Sequence, residues 1–409
     1  MSEPSAETQA NSTPVHGVGA FWRTFPAGMR RRWWLFRLFD LIAYYWPSLR
    51  PRRGLLVVRM DGIGDMVLFR RALDHYADVF GFEKSEITVL GCESWAAVAG
   101  ALFEGYRVEI INEHRYAKRP LYRFGVNLRV RRIAPEVTVN DAFFRRALMA
   151  DSVSWMSRAR RTIASVPYIS ERTRPEFTYY MSQVDEAVDT GLYPTHEIER
   201  HYRFLSAVTG REIKPEPPQL TWPTGTSPLD VGTPYIVLNP GSNEYGRRWP
   251  LADYVDLARS FLAQNYRVAI IGKADEKSGD AGFKAIADET GLIDLTGRTD
   301  VPQMFDLLAG AALVVSNDTG PAHVSIGLGR PTVVIVGGGH FGSFVPYPAD
   351  VTPEHVRFVY QRMECYHCFW RCHKRTDDKA PFPCVADVSP ENVWLACQYV
   401  LADSPPSDG

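Results

Sequence analysis

The feature that most constrains this chain is a repeated order of short apolar runs, each followed by a segment that can form a helix. Apolar runs alternating with helical segments predict parallel sheets that carry helices on both faces. In such sheets, ligands bind beyond the carboxyl ends of the strands. The predicted strands cover residues 54–59, 87–90, 107–111, 235–239, 267–272, 313–315 and 332–336.

One stretch interrupts this order. Residues 215–234 are rich in Pro, Gly, Thr and Ser and show little periodicity, which predicts a linker. A length of 409 residues fits two or three domains. We therefore expect two Rossmann-like units with a ligand site in the cleft between them. The predicted division is a disordered start with an aromatic and basic helical segment over 1–50, a first domain over 51–215, a linker over 216–234, a second domain over 235–400 and a tail over 401–409.

Composition narrows the class of partner. A hydrophobic content of 45% with 23% charged residues is ordinary for a globular protein, and a net charge of −1 argues against wholesale nucleic-acid binding. The charge is uneven, however, because residues 115–161 hold twelve Lys or Arg against three Asp or Glu. Such a stretch suits a phosphorylated or acidic acceptor or an anionic membrane face. A solvated basic face without a ligand is an equal alternative.

The N-terminal region does not have the pattern of a secretory signal. Residues 2–14 are polar and predict disorder. Three arginines at 30–32 then precede an aromatic run at 33–46 that is too short and too charged to span a bilayer. Aromatic residues beside a triple arginine suit an amphipathic helix lying in the membrane interface. The alternative is a helix packed on the surface of the protein itself.

The motif Ser-Asn-Asp-Thr-Gly-Pro-Ala-His at 316–323 follows an apolar run and predicts a strand, a tight turn and a helix. Free N–H groups and the positive end of the helix dipole would then face an anion. Asp318 offers a hydroxyl acceptor, Thr319 a donor and Gly320 room for close approach, with His323 one turn behind. The motif therefore predicts a diphosphate cradle, and a capped helix without a ligand is the alternative.

Two other loops that follow strands carry candidate chemistry. Residues 60–67 contain glycines for a tight turn and place Asp65 at the start of a helix, as a general base or an N-terminal cap. This loop lacks the third glycine of a dinucleotide fingerprint, which argues against a dehydrogenase. Residues 240–250 contain small residues followed by Arg247 and Arg248, which suit phosphate oxygens.

Together these segments resemble glycosyltransferase family 9, the ADP-heptose:lipopolysaccharide heptosyltransferases. The resemblance extends over roughly residues 54–400, with dense matches in the C-terminal half and weak ones between 92 and 215. The matching segments are Val-Val-Arg-Met-Asp-Gly-Ile-Gly-Asp at 57–65, Leu-Asn-Pro-Gly-Ser at 238–242, Arg-Arg-Trp-Pro at 247–250, Leu-Thr-Gly-Arg-Thr at 295–299, 316–323 and Leu-Gly-Arg-Pro-Thr at 328–332.

The resemblance implies a GT-B fold, in which two Rossmann-like domains have parallel sheets facing a central cleft. It also implies an inverting transfer from ADP-heptose to a lipid-linked or lipopolysaccharide-core saccharide in the cytoplasm, at the inner membrane, with no metal needed for catalysis. Asp65 would be the general base, and Arg247 would neutralise charge on the leaving ADP. The other implied donor-binding residues are Gly64, Ser242, Arg248, Asp275, Glu276, Thr299, Asp318, Thr319, Gly320 and His323.

Two alternatives to heptosyl transfer stay open. The family often has lysine where this chain has Arg247, which leaves a different nucleotide-sugar donor possible. The chain would also suit a non-catalytic scaffold that keeps the fold and binds a sugar nucleotide.

The chain departs from the simplest family members in one segment, where four cysteines fall within twenty residues. Their spacing, C-x2-C-x3-C-x11-C, suits a tetrahedral structural metal site. Ligand chemistry favours zinc, while similar clusters in the autotransporter heptosyltransferases of this family are iron sites, which keeps iron open. Reduced thiols and disulfides are the alternatives. The predicted ligands are Cys365, Cys368, Cys372 and Cys384.

Overall fold

The computed structural model describes residues 19–48, 50–223, 229, 234–274 and 292–402. Its chain divides into two compact units: residues 1–62 with 72–215, and residues 63–71 with 216–409. The short segment 63–71 thus groups with the second unit, although it directly follows the first strand of the first. The predicted start over 1–18, most of the predicted linker and the end of the tail lie outside the described residues.

The first unit contains a six-stranded sheet. Its strands are Leu55–Val58 (β1), Ile87–Cys92 (β2), Arg107–Ile111 (β3), Val137–Asn140 (β4), Arg161–Ser165 (β5) and Glu186–Val188 (β6). All neighbours are parallel, in the order β3-β2-β1-β4-β5-β6. The helices along this part of the chain are Ala20–Thr24 (α1), Arg31–Tyr45 (α2), Ile63–Leu73 (α3), Tyr76–Phe80 (α4), Ala99–Leu102 (α5), Glu113–Lys118 (α6), Pro120–Ile133 (α7), Ser152–Ser157 (α8), Arg174–Met181 (α9) and Glu197–Thr209 (α10).

The central strands form because their apolar residues can be buried on both faces. Every residue of β1 and β2 is buried, as expected for a parallel sheet covered by helices on both sides. Leu55 pairs with Ile87 on one side and Val137 on the other, which fixes the register of the sheet centre. The carboxyl ends of all six strands therefore lie along one edge.

The second unit repeats this architecture. Its strands are Tyr235–Asn239 (β7), Arg267–Ile270 (β8), Leu292–Asp294 (β9), Leu313–Asn317 (β10), Thr332–Ile335 (β11) and Val356–Val359 (β12), in the parallel order β12-β11-β10-β7-β8-β9. The described helices are Leu251–Ala263 (α11), Val301–Ala309 (α12), Gly320–Gly327 (α13), Pro383–Ala386 (α14) and Pro390–Ala402 (α15). The predicted alternation of strand and helix in two parallel sheets is confirmed.

Helix α2 packs on the first unit through one face. Trp33, Phe36, Asp40 and Ala43 are its buried residues, at helical spacing. The Asp40 carboxylate accepts two hydrogen bonds of 2.8 Å from the fully buried Arg123 guanidinium of α7. This ion pair fastens the helix to the domain, so the interpretation of a helix packed on its own protein is right for this face.

The outer face of α2 remains apolar and exposed, with side chains between 45% and 71% accessible. Its exposed residues, continued by Trp46 just after the helix, are Trp34, Leu35, Leu38, Ile42 and Tyr45. Among the helices the structure describes, none is both long and apolar enough to cross a membrane.

Candidate functional site

In the second unit, the strand order reverses between β7 and β10, and the loops after these two strands are held together. Asn239 ends β7 and pairs with Ser316 of β10. Its Nδ2 donates to Ser316 Oγ and to Thr319 Oγ1, both at 2.9 Å. A ligand site is expected at such a reversal point in a parallel sheet.

A second asparagine completes this connection. Asn317 Nδ2 donates to the Pro240 carbonyl at 2.8 Å, while its Oδ1 accepts from the Trp249 backbone N–H at 3.1 Å and the Tyr254 hydroxyl at 3.2 Å. The side chain is fully buried. Sequence reasoning gave Asn239 and Asn317 no role, although a polar residue ending an apolar strand was a usable signal.

An ion pair lies between the two loops. Arg247 ends a 3₁₀ turn that follows β7, and its Nη2 is 2.8 Å from Asp318 Oδ2. The same Nη2 also donates to the Asp318 carbonyl. On the other side of the carboxylate, Nε2 of His323 lies 3.7 Å from Asp318 Oδ1. The structure thus brings together three residues that the sequence analysis singled out.

The electrostatics of this group favour an ionised Asp318. Burial alone would raise the pKa of Asp318, but the Arg247 guanidinium and His323 lower the pKa to about 2. His323 is itself oriented by Tyr347, whose hydroxyl lies 2.7 Å from His323 Nδ1. Burial and the Asp318 charge raise the pKa of Tyr347, so its hydroxyl keeps its proton at neutral pH.

Three buried polar atoms of this unit have no hydrogen-bond partner within the described part of the chain. They are Ser242 Oγ, Arg247 Nε and Thr296 Oγ1. Each belongs to a loop beyond the carboxyl end of a strand, after β7 for the first two and after β9 for the third. A buried polar atom without a partner costs free energy of about 1–3 kcal/mol, so these atoms are the ones a bound polar ligand would satisfy.

The first turns of α3 and α13 approach each other closely, within the second unit. A Cβ at Gly320 would lie 2.5 Å from Ile63 Cγ2, and a Cβ at Gly64 would lie 2.9 Å from His323 Cδ2. Two glycines therefore allow the approach. It sets Asp65, half-buried in the first turn of α3, on the helix whose start contacts the 318–323 loop.

The remaining predicted donor-binding residues have different surroundings. The guanidinium of Arg248 donates to the Ser242 carbonyl at 2.8 and 3.1 Å, so it supports the loop backbone. Thr299 is half-buried at the end of the turn that contains Thr296. Asp275 and Glu276 lie outside the described residues.

The cysteine-rich segment supports Arg247 from outside the sheet. The Arg247 guanidinium lies 4.7 Å from the centre of a Trp370 ring, a cation–π contact. A Cβ at Gly246 would lie 2.6 Å from the Phe382 ring, whose backbone N–H donates to the Gly246 carbonyl at 2.6 Å. Arg375 adds an ion pair of 3.2 Å to Glu244. Every residue of the turn before Arg248 is thus in contact with this segment or beside it.

The four clustered cysteines line one small cavity with Tyr366, Trp370 and Phe382. All six cysteines of the chain are free thiols, so the disulfide alternative is not found. Burial raises the pKa of Cys384 to about 11, and Cys384 Sγ accepts from the Gly338 N–H at 3.3 Å. Within the described ranges, no group of three or more His, Cys, Asp or Glu side chains is placed to hold a metal ion.

Two relatives with assigned functions resemble this chain. Lipooligosaccharide heptosyltransferase 2 of Haemophilus influenzae is 35% identical over 109 residues, which are 25% of this chain and 31% of that protein. Lipopolysaccharide heptosyltransferase 2 of Salmonella typhimurium is 28% identical over 266 residues, 59% of this chain and 72% of that one. The chain thus spans about a third of the first relative and nearly three quarters of the second.

Solved structures share the fold. The ADP-heptose LPS heptosyltransferase II of Escherichia coli matches with a TM-score of 0.61 and 18% identity over 85% of this chain and 98% of that chain. The iron-containing dodecameric glycosyltransferase TibC of enterotoxigenic E. coli matches with a TM-score of 0.52 and 13% identity over 85% and 76%. The expected GT-B fold is confirmed. The sequence profile of glycosyltransferase family 9 (heptosyltransferase) matches residues 165–372, just over half of the chain, and the chain therefore belongs to glycosyltransferase family 9.

Proposed function

We propose that this protein is an inverting heptosyltransferase that moves heptose from ADP-heptose to a saccharide of the lipopolysaccharide core or to a lipid-linked saccharide. The observation that carries the proposal is the Arg247–Asp318–His323 group beside three buried polar atoms without partners. In this proposal the donor diphosphate lies at the loops after β7 and β10. Its oxygens then accept from Ser242 Oγ and the free N–H groups at the start of α13.

Arg247 has a geometry suited to this role. A guanidinium has five N–H donors in a fixed plane, and the structure uses Nη2 on Asp318 while leaving Nε without a partner. Arg247 can therefore keep its ion pair and still donate to a phosphate oxygen. In the transfer, the acceptor hydroxyl attacks the anomeric carbon, the bond to ADP breaks, and Arg247 stabilises the negative charge that grows on the leaving phosphate.

Asp65 takes the acceptor proton in this scheme. Its carboxylate receives the hydrogen as the new carbon–oxygen bond forms, and the ADP leaves with the electron pair of the broken bond. A carboxylate in the first turn of a helix is also stabilised by the helix dipole. The proposed base thus stays ionised at the pH of the reaction.

Calorimetric binding tests the donor. The purified chain is titrated with ADP-heptose and, separately, with UDP-, GDP- and CMP-sugars. We expect selective binding of ADP-heptose, weakened roughly tenfold to hundredfold by Arg247→Ala, because one charge-assisted hydrogen bond is lost. Arg259→Ala, at an exposed ion pair on α11, is the matched control. Preference for another nucleotide sugar would replace the heptosyl assignment, and no binding would favour the scaffold alternative.

Turnover tests the base. Asp65→Asn should keep donor affinity within about threefold and lower the transfer rate by about 10²–10⁴. Asp78→Asn, an exposed carboxylate on α4, is the control and should change neither. Unchanged turnover in Asp65→Asn would remove this residue from the mechanism.

The proposal includes a cytoplasmic protein in peripheral contact with the inner membrane. The exposed outer face of α2 and its neighbouring arginines support this contact, since apolar and cationic groups together suit an anionic lipid surface. The test is co-sedimentation with phosphatidylglycerol vesicles. Leu35→Ser with Leu38→Ser should reduce binding, whereas Leu395→Ser, equally exposed on α15, should not. Equal sedimentation of all variants would remove the membrane contact.

The proposal also keeps a structural zinc or iron at Cys365, Cys368, Cys372 and Cys384. It is supported by the shared cavity of the four thiols, whereas the present placement of the side chains does not form a metal-binding group. No step of the transfer depends on this metal. Elemental analysis of the purified chain, with Cys384→Ser beside Cys92→Ser, decides the point, because only the first variant should lose bound metal.

A further inference from the structure

The first unit contains a cavity of about 780 Å³ whose walls are rich in arginine. Its lining includes no acidic side chain. Six guanidinium groups, contributed by three separate parts of the chain, surround an apolar floor that includes Phe36, Leu148 and Met149. The arginines are Arg30, Arg31, Arg32, Arg145, Arg146 and Arg172.

Two of these arginines are neutralised and act as supports. Arg145 is almost fully buried and pairs with Asp151 at 2.9 Å, and its Nη1 donates to Ser165 Oγ at 2.9 Å. Arg30 forms a bidentate pair with the buried Glu176. These pairs hold the cavity wall in place and leave their own charges compensated.

The other four arginines are uncompensated. Within the ranges that the structure describes, the side chains of Arg31, Arg32, Arg146 and Arg172 form no hydrogen bond or ion pair, and all four are exposed. Four like charges around one cavity repel each other unless an anion lies between them. The arrangement therefore favours a bound anionic group.

The start of α2 adds to the positive potential. This helix of fifteen residues begins at Arg31 without an acidic residue in its first turn and without a side-chain cap. Arginines at the positive end of a helix dipole are locally unfavourable. Such a conflict between local preference and structure is expected at functional sites.

The cavity lies where a parallel sheet binds ligands. Ala117 belongs to α6, which follows β3, while Arg146 follows β4 and Arg172 follows β5. These segments begin at the carboxyl ends of three strands of one sheet. All lining residues belong to the first unit, whereas Arg247 and Asp318 belong to the second.

From this geometry we infer that the arginine-lined cavity is a binding site for a phosphate group carried on a saccharide. Guanidinium groups bind phosphate oxygens in a bidentate manner, and the apolar floor suits the C–H face of a sugar ring. The volume falls within the range of pockets for small ligands. Resting on the proposed transfer, the ligand is a phosphorylated part of the acceptor.

The test is a calorimetric titration of the full chain with glucose 6-phosphate in the presence of saturating ADP, which occupies the donor site. We expect the wild type to bind and the double variant Arg146→Gln/Arg172→Gln to bind at least tenfold more weakly. Both arginines are exposed and unpaired, so the fold should be retained. Arg211→Gln, an exposed arginine of the same unit outside the cavity, should bind like the wild type.

A second arm distinguishes the source of the phosphate. Phosphatidylglycerol vesicles replace the sugar phosphate, again with the double variant and Arg211→Gln. Loss of vesicle binding without any binding of glucose 6-phosphate would overturn the saccharide assignment in favour of a lipid headgroup. Equal binding by the wild type and the double variant, or none by either, would also overturn it. ADP-heptose affinity is measured separately on the same variants, so failure of the transfer proposal leaves this result interpretable.

Discussion

Replacing Arg247 by methionine tests the ion pair at the centre of the candidate site. The substitution keeps the length and apolar stem of the side chain but leaves the Asp318 carboxylate, only 11% exposed, with His323 at 3.7 Å as its remaining cationic neighbour. In the native chain the pKa of Asp318 is lowered from 3.8 to about 2. Since one pKa unit corresponds to about 1.4 kcal/mol, this interaction contributes about 2 kcal/mol to the free energy of unfolding at neutral pH.

The pH dependence has a definite sign. Because the folded pKa of Asp318 lies below its unfolded pKa, the contribution is complete above about pH 5 and is lost as the pH falls towards 2. About half of it should remain at pH 3. The destabilisation caused by Arg247→Met should therefore shrink from about 2 kcal/mol at pH 7 to about 1 kcal/mol at pH 3.

Urea unfolding of the full chain at the two pH values measures this difference. Arg259→Met is the matched control, because it breaks an exposed ion pair that contributes about 0.5 kcal/mol or less. A destabilisation that is the same at pH 7 and pH 3, or no larger than that of the control, would refute the assignment of the lowered Asp318 pKa to Arg247.

Three further substitutions test other contacts. Gly320→Ala should lower transfer activity at least tenfold, because its Cβ would lie 2.5 Å from Ile63 Cγ2 and would separate the two helix starts; Gly100→Ala, where a Cβ meets nothing within 4 Å, should have no such effect in the same assay. Trp370→Leu should weaken ADP-heptose binding about threefold to tenfold in calorimetry by removing the ring beneath Arg247; unchanged affinity would exclude this support. Arg123→Met should lower the free energy of unfolding by about 3–5 kcal/mol in urea, since it leaves the Asp40 carboxylate buried without its cation; a loss below 1 kcal/mol would contradict a buried ion pair.

Local patterns predicted the fold well where apolar runs were continuous. The bounds of β3 and β7 agree with the sequence analysis, and β1 and β10 differ by one or two residues at their ends. The single helix predicted over 66–80 is wrong, because the structure has α3 and α4 separated at 74–75. Strands β4 to β6 were not predicted, since their polar residues, such as Thr138 and Asn140, are buried by contacts that no local pattern records.

The site was predictable only in part, for the same reason. Each loop was recognised from its own residues, and the structure places Arg247, Asp318 and His323 in contact. Their mutual arrangement depends on Asn239 and Asn317, which bond across some 80 positions of the chain. The grouping of residues 63–71 with the second unit is likewise a long-range property. Sequence spacing contains no information on such distances.

Arginine at position 247, where the family often has lysine, fits its surroundings in this chain. The guanidinium reaches the Asp318 carboxylate and carbonyl with Nη2, lies over Trp370 and keeps Nε without a partner. An ammonium is a point charge that can approach the carboxylate but cannot also stack on the ring and donate in the fixed plane. Arg247→Lys should therefore recover most of the unfolding free energy lost in Arg247→Met while leaving ADP-heptose affinity reduced about tenfold. If both quantities recover together, charge alone explains the residue, and the planar donors of the guanidinium have no separate part in binding the diphosphate.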